Sequence, residues 1–338
     1  PGVMETFSRL SVYFGERSRI GGGPSVETLL SLLADRGVEN AVLLRAGEGF
    51  GPRHGLQTSS LLSLSEDLPL VLVAVGDKGP IATSAVETRE LLDEGLITVE
   101  QTLRSDGGPG DAASDGGRYG RMTIWLARGA RIGGRPAYEQ LALSFREGGA
   151  DAGIALLGID GLAAGRRRRA SFFSANREVP LLFSVVGPEY ALQRAWHYAA
   201  RFVPGAFAEI SEAGARPGGS RATTGDLSQP SMRRVVVYGG GLPPGGGVDR
   251  QQLLVRLLRR SGALGATAFQ GVYGFARGQA PHGESFRTLR RRVPVLTEVV
   301  DLPEGCARWL ALAEESEGPG QVAVTQQVDE VSRPDGRA

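Results

Sequence analysis

Three short glycine-bearing runs hold the most chemical promise in this chain: AGEGFG (Ala46–Gly51), GIDGLA (Gly158–Ala163) and GVYGFA (Gly271–Ala276). Small residues bare their backbone N–H groups, and such groups can cradle a phosphate or a carboxylate. Gly49, Gly161 and Gly274 stand at matching places, with Gly51 closing the first run. Phe50 and Phe275 can stack on a nucleobase, whereas Leu162 cannot; core packing is the competing role. The architectural reason for glycine at such a place is a tight turn that demands positive φ.

A second candidate is the run Arg166, Arg167, Arg168, Arg169. Four adjacent guanidiniums can clamp phosphates or an acidic partner surface, or can decorate a solvated loop. No aromatic residues are interleaved, so specific nucleic-acid binding is not expected. The third repeat has Arg290, Arg291 and Arg292 immediately before its Pro294 strand, and the first has Ser65, Glu66 and Asp67 there, so these loops no longer do identical work. Of the histidines, His54 and His282 lie in long polar stretches, while His197 sits beside Trp196 and Tyr198 at helical spacing and reads as structural. No HExxH, CxxC, GxSxG or GxxxxGK[ST] occurs, so neither a metal centre, nor a serine nucleophile, nor a phosphate loop of those kinds is expected. Only His282 with Glu284 offers a start for an enzyme site. Cys306, the single cysteine, excludes an internal disulfide and reads as packing.

The elements that position these residues come in three copies. RLSVYFGERSRIGGGPSVETLL from Arg9, RMTIWLARGARIGGRPAYEQLA from Arg121 and RRVVVYGGGLPPGGGVDRQQLL from Arg233 align at two equal offsets of 112 residues (121−9 and 233−121). The runs LPLVLVAV, VPLLFSVV and VPVLTEVV follow in the same order, and each copy closes on a glycine and a final apolar run, at Gly95, Gly205 and Gly320. Each copy reads β, α, β, β, α, β, the split βαβ or ferredoxin-like order. Val26, Leu29, Leu30 and Leu33 mark the first helix, and Gly37, Gly149 and Gly262 stand where a helix ends. Asp249 and Gln252 have the spacing of a capping box. The second helices are expected over about Ile81 to Glu94, Glu189 to Val203 and Glu304 to Ser316. We place the units at 9–104, 119–213 and 232–331, with glycine-rich linkers at 105–118 and 214–231 and a disordered tail at 332–338. Pro1 to Ser8 carry no weight in this reading.

On these residues, GEGFGPRHGLQTSSLLSLSEDLPLVLVAV with LSVYFGE before it and GLITVE after it resembles the PII-like group known as the domain of unknown function 190 family. The first copy matches over nearly its full length, and the other two match in pattern and in glycine and proline positions. The resemblance implies a PII/GlnB-like fold that assembles as a trimer, with ligand clefts between neighbours and long loops reaching to partners; the family's activity is generally unassigned. Three linked copies then imply one monomeric, intramolecular pseudo-trimer, since linkage raises the effective concentration of the parts. It also places a nucleotide-binding loop before the last strand, where Gly95, Gly205 and Gly320 remain but no Lys or Arg stands alongside. A family histidine twelve residues before the loop's closing proline is met only by His282, with Gln57 and Arg168 in the other copies.

Length and composition bound the rest. The chain has 338 residues, ample for a buried core, and 41% hydrophobic with 22% charged residues is ordinary for a globular protein. Fifty glycines and 19 prolines exceed the usual level, which the linkers, helix ends and loop bases absorb. The net charge of +1 conceals unlike parts: residues 9–104 carry nine basic and 13 acidic groups, 121–213 carry 12 and eight, and 233–331 carry 12 and ten. No apolar run reaches the length of a membrane span, so the protein is expected to be not membrane-embedded, and cytoplasmic. The functional expectation is a non-enzymatic regulatory or sensor protein. It binds a small anion, a nucleotide among the candidates, in inter-unit clefts, and meets a membrane transporter or another regulated protein through its loops. The alternatives are a degenerate scaffold without ligand and, third, an enzyme at His282.

Overall fold

Alternation of side chains decides the strands. In β1 (Thr6–Gly15), Leu10, Val12 and Phe14 face one way and Phe7, Arg9, Ser11 and Tyr13 the other, and both sets are largely buried. A strand with two buried faces must lie between two layers. The computed structural model describes residues 5–51, 57–58, 68–107, 117–171, 176–215, 232–240, 250–283, 293–315 and 320–331. In the first unit β1 is followed by α1 (Ser25–Asp35), β2 (Asn40–Arg45), β3 (Pro69–Gly76), α2 (Lys78–Leu91) and β4 (Leu96–Ser105). The strands pair antiparallel in the order β2, β3, β1, β4.

The second unit repeats this with β5 (Tyr119–Ala127), α3 (Ala137–Glu147), β6 (Ala152–Leu157), β7 (Pro180–Pro188), α4 (Glu189–Ala200) and β8 (Phe207–Glu212). The third repeats it with β9 (Met232–Gly240), α5 (Arg250–Arg260), β10 (Ala266–Gln270), β11 (Pro294–Asp301), α6 (Pro303–Glu315) and β12 (Val322–Glu330). Their orders are β6, β7, β5, β8 and β10, β11, β9, β12. The helices bury the stripe the spacing predicts: Leu29, Leu30 and Leu33 in α1, Leu141, Ala142 and Phe145 in α3, Leu254, Val255 and Leu258 in α5. Gly37, Gly149 and Gly262 follow these helices at φ +78°, +97° and +88°, a left-handed turn that glycine makes at least cost. Asp249 lies outside the described residues.

The ladders correct one expectation. Pro69, Pro180 and Pro294 open the third strands opposite Gly15, Ala127 and Gly240. Counting back from there puts Arg9, Arg121 and Arg234 in one register, so the third copy is offset by 113 residues (234−121) and Arg233 is not the equivalent. A slip of one residue reverses the face of every side chain. Arg234 is accordingly 1% exposed, while Arg233 is only half-buried. Leu29, Leu141 and Leu254 obey the same offset.

The units are hydrogen-bonded to one another in both directions. A short strand after the second strand of each unit leaves its own sheet: Glu48–Phe50 pairs with β10, Asp160–Ala163 with β2, and Tyr273–Phe275 with β6. The last strands meet as well, β4 with β8 and β12 with β4, and Gly214–Ala215, at the start of the second expected linker, pairs with β12. Four hydrophobic clusters hold most of the core. Three lie between one sheet and its helices, and the fourth gathers the other sheet faces of all three units, from Val42 and Leu44 through Ile154 and Leu156 to Phe269 and Leu296.

Candidate functional site

The inward face of the three first strands carries charge into that central cluster. Arg9, Arg121 and Arg234 are each at most 5% exposed, as are Glu100 and Glu209, with Glu298 at 6%. Each arginine reaches across to the unit that follows it. Arg9 Nη1 donates to Glu209 Oε1 at 2.8 Å and to Thr123 at 3.1 Å. Arg121 donates to Glu298 Oε1 at 3.1 Å and Gln326 Oε1 at 3.0 Å, and Arg234 donates to Glu100, Ser11 and Thr98. Thus the first unit grips the second, the second the third, and the third the first.

The arginines are register equivalents but the glutamates are not. Glu100 lies opposite Arg9 on a last strand, Glu209 lies opposite Thr123 two places further along, and Glu298 comes from a third strand. The network is neutral, three charges of each sign. Burial pushes the Glu298 carboxyl up, but Arg121, Arg234 and Arg9 together outweigh it and hold its pKa below the ordinary value. At Glu209 burial prevails over Arg9 and the pKa is raised. Tyr13, Trp125 and Tyr238 share one register position and cap the network: Tyr13 donates to Glu298 Oε2 at 2.9 Å, Trp125 Nε1 to Glu209 at 3.2 Å, and Tyr238 shares a 2.7 Å hydrogen bond with Ser184. Beside this layer a cavity of about 10 Å³ is lined by Arg9, Arg121, Thr123, Ser184 and Glu298 on its polar side. It has space for about one water, so no organic ligand enters there.

The loop-base glycines sit where neighbouring units touch. A Cβ on Gly49 would come within 2.8 Å of the Ala266 carbonyl oxygen, on Gly161 within 2.2 Å of that of Ala41, and on Gly274 within 2.3 Å of that of Gly153. None of the three has positive φ, so the turn expected there is replaced by close approach of another unit's strand. Phe50 inserts into the helix-side core of the third unit, Phe275 into that of the second and Leu162 into that of the first. The two rings are 4% and 3% exposed, so packing is the role the structure gives them. Gly51 is exposed with open space around it.

Gly95, Gly205 and Gly320 share left-handed φ values of +134°, +78° and +93°. The cation missing from the local sequence arrives from α2: Arg89 Nη1 donates to the Gly95 carbonyl at 2.9 Å, and Arg89 also donates to the Leu92 carbonyl. Of the arginine run, Arg167 pairs with Asp160 at 2.6 Å and with Glu27 of the first unit, Arg169 pairs with Glu27 at 2.9 Å, and Arg168 pairs with Glu178. Arg166 is exposed. His282 donates Nδ1–H to the Ala280 carbonyl at 3.1 Å, and His197 donates to that of Gly107 at 2.7 Å. Cys306 is buried on α6 and its thiol is pushed up to about 12, by burial first and Asp301 second. His54, Ser65, Glu66, Asp67, Glu284 and Arg290 to Arg292 lie outside the described residues. No described helix is long and apolar enough to cross a membrane.

The threefold repeat is matched by the family comparison. One family model, DUF190, described as an uncharacterized ACR, matches residues 7–103, 119–212 and 242–329. The chain belongs to the DUF190 family. The third DUF190 match begins after Gly240 and omits β9, the strand whose register differs by one from the sequence alignment. The glutamates were missed in the sequence, although Glu298 leaves a signal: it is a lone acid inside the apolar run VPVLTEVV.

Proposed function

We propose that this DUF190 chain is a PII-like, non-enzymatic regulatory or sensor protein. In this reading its three ferredoxin-like units make one monomeric pseudo-trimer in the cytoplasm. A small anionic ligand, a nucleotide among the candidates, binds between units and biases the long loops toward a membrane transporter or another regulated protein. Ligand-driven ordering of a loop is a known switching mode. The observation that supports the reading best is the cyclic interlock, in which Arg9, Arg121 and Arg234 each cross to the next unit while the loop bases exchange strands. A solution mass at 35.6 kDa and a thermal midpoint raised by a nucleotide or simple anion are expected. A mass at a multiple of that value removes the monomer, and no shift with any compound removes the ligand.

A scaffold without ligand is the second reading. It is favoured by the use already made of the anion-seeking features: Gly49, Gly161 and Gly274 meet a neighbour's backbone, and Arg167, Arg168 and Arg169 hold carboxylates. It predicts that all ligands fail in the thermal assay while the fold and mass are unchanged.

A further inference from the structure

We propose that the second unit carries a pocket for a phosphate-bearing small molecule, at the mouth of the hairpin that joins β5 to α3. The hairpin pairs Arg131–Ile132 with Arg135–Pro136. Against it lies a concavity of about 420 Å³, lined by Arg128, Arg131 and Arg177 with Pro136 and Tyr138, a volume in the range of small-molecule sites. The site is distinct from the loop-base glycines and stands apart from the regulatory reading.

The backbone builds this convergence. Arg128 N–H donates to the Val179 carbonyl at 2.9 Å, and Gly129 N–H to that of Arg177 at 2.7 Å. A Cβ on Gly129 would come within 2.7 Å of Arg177, so glycine is what lets the segment bearing Arg177 close on Arg128. Ala137 N–H donates to the Ala130 carbonyl at 2.9 Å and seats the hairpin on the start of α3. Among the described residues none of Arg128, Arg131 and Arg177 has a carboxylate within 4.0 Å; Arg131 donates one N–H to the Gly134 carbonyl. The contrast with Arg167, Arg168 and Arg169 is direct. Three guanidiniums around one concavity, none with a carboxylate partner among the described residues, fit the planar, bidentate recognition of phosphate oxygens.

At the place of Arg128 the first unit has an acid, Glu16, while Arg19 stands where Arg131 does. Glu16 N–H donates to the Leu68 carbonyl as Arg128 does to Val179, and the Glu16 carboxylate holds Arg45. The second unit has thus diverged from the first at the Arg128 position, in line with its basic excess. Its wall includes an inter-unit contact: the Tyr138 ring lies 6.2 Å from that of Tyr273, from the third unit. Burial foremost, then Glu139, raises both hydroxyl pKa values against Arg128 and Arg131 at Tyr138 and Arg135 at Tyr273. The hydroxyls stay neutral donors, and Glu139 is the one acid among these neighbours.

Titration calorimetry of the full chain with pyrophosphate, and in parallel with adenosine 5′-monophosphate, tests the site. One pyrophosphate per chain is expected, weakened about tenfold or more by Arg128→Glu, which installs the first unit's residue, and by Arg177→Gln; a charge-assisted hydrogen bond has about that worth. Arg259→Ala, an exposed arginine at the end of α5, should leave affinity unchanged. Circular dichroism confirms that the variants fold. Tighter binding of the nucleotide that is lost in Tyr138→Ala adds the base to what is recognised, and equal binding assigns recognition to phosphate alone. No binding of either compound, or equal weakening by Arg259→Ala, overturns the pocket. The solution mass, and a thermal shift that persists in Arg128→Glu, test the regulatory reading independently of these outcomes.

Discussion

Arg9 donates to Glu209 at 2.8 Å across the boundary between the first and second units, from one buried strand to another 200 residues away in the chain. Removing one member of a buried ion pair leaves the other charge uncompensated, at a cost of about 3–5 kcal/mol, whereas replacing both with apolar groups of similar volume is often neutral. Arg9→Met should therefore lower the denaturant midpoint steeply, and Arg9→Met with Glu209→Leu should recover part of the loss. A double variant no more stable than the single one would remove the pairwise account.

The register correction makes its own prediction. Arg234→Met should cost about 3–5 kcal/mol, because Glu100 then loses its partner from the third unit, while Arg233→Met should stay within about 0.5 kcal/mol, as surface changes do. Equal effects in chemical denaturation would return the third strand to the other register.

Exchange of apolar side chains between units can be read by hydrogen exchange. Phe50→Ala should destabilise by about 3–5 kcal/mol, and the lost protection should appear in α5 and α6 of the third unit, whose core it enters. Loss confined to the first unit would contradict the exchange.

Gly161→Ala drives a methyl to within 2.2 Å of a backbone oxygen, whereas Gly51→Ala meets nothing within 4 Å. The former should cost about 1–3 kcal/mol, as overpacking does, and the latter nothing measurable. Thermal melts of the two proteins compare them directly, and equal midpoints would refute the strand contact at Gly161.

Acid should loosen the interlock through Glu298. Its folded pKa is lowered below 4.5, so the unfolded chain binds the proton first and the carboxylate adds stability at pH above 4.5. That contribution is lost as pH falls through the folded value. Glu209, raised by burial, has the opposite sign: stability falls as pH rises from 4.5 to its folded pKa. Stability against pH for Glu298→Gln should accordingly lack part of the wild-type decline on the acid side, and an unchanged acid limb would exclude Glu298.

Much of the fold was legible because its signals are local. Short apolar runs marked the strands, and the stripe from Val26 to Leu33 marked a helix found at Ser25–Asp35. The second helices fell close to expectation, α2 starting at Lys78 instead of Ile81. The candidate site was less legible. Phe50 and Gly49 were visible as equivalents of Phe275 and Gly274, but their neighbours come from another unit, and no spacing along the chain names a partner across a sheet edge. Arg128, Arg131 and Arg177 were overshadowed by the denser run at Arg166 to Arg169, because adjacency in sequence is not convergence in space.

The sequence by itself determined three copies of one strand and helix order, the glycines that end the helices, the burial of Cys306 and the unequal charges of the units. Each rests on composition or on a period that neighbours in the chain express. Only the tertiary structure decided that Arg234 and not Arg233 joins Arg9 and Arg121, and that three glutamates from non-equivalent strand positions neutralise them. The reason is physical: a strand's inward face is set by its pairing register, and the three inward faces acquire partners only when the sheets close around a common centre, where an unpaired charge would be too costly to bury.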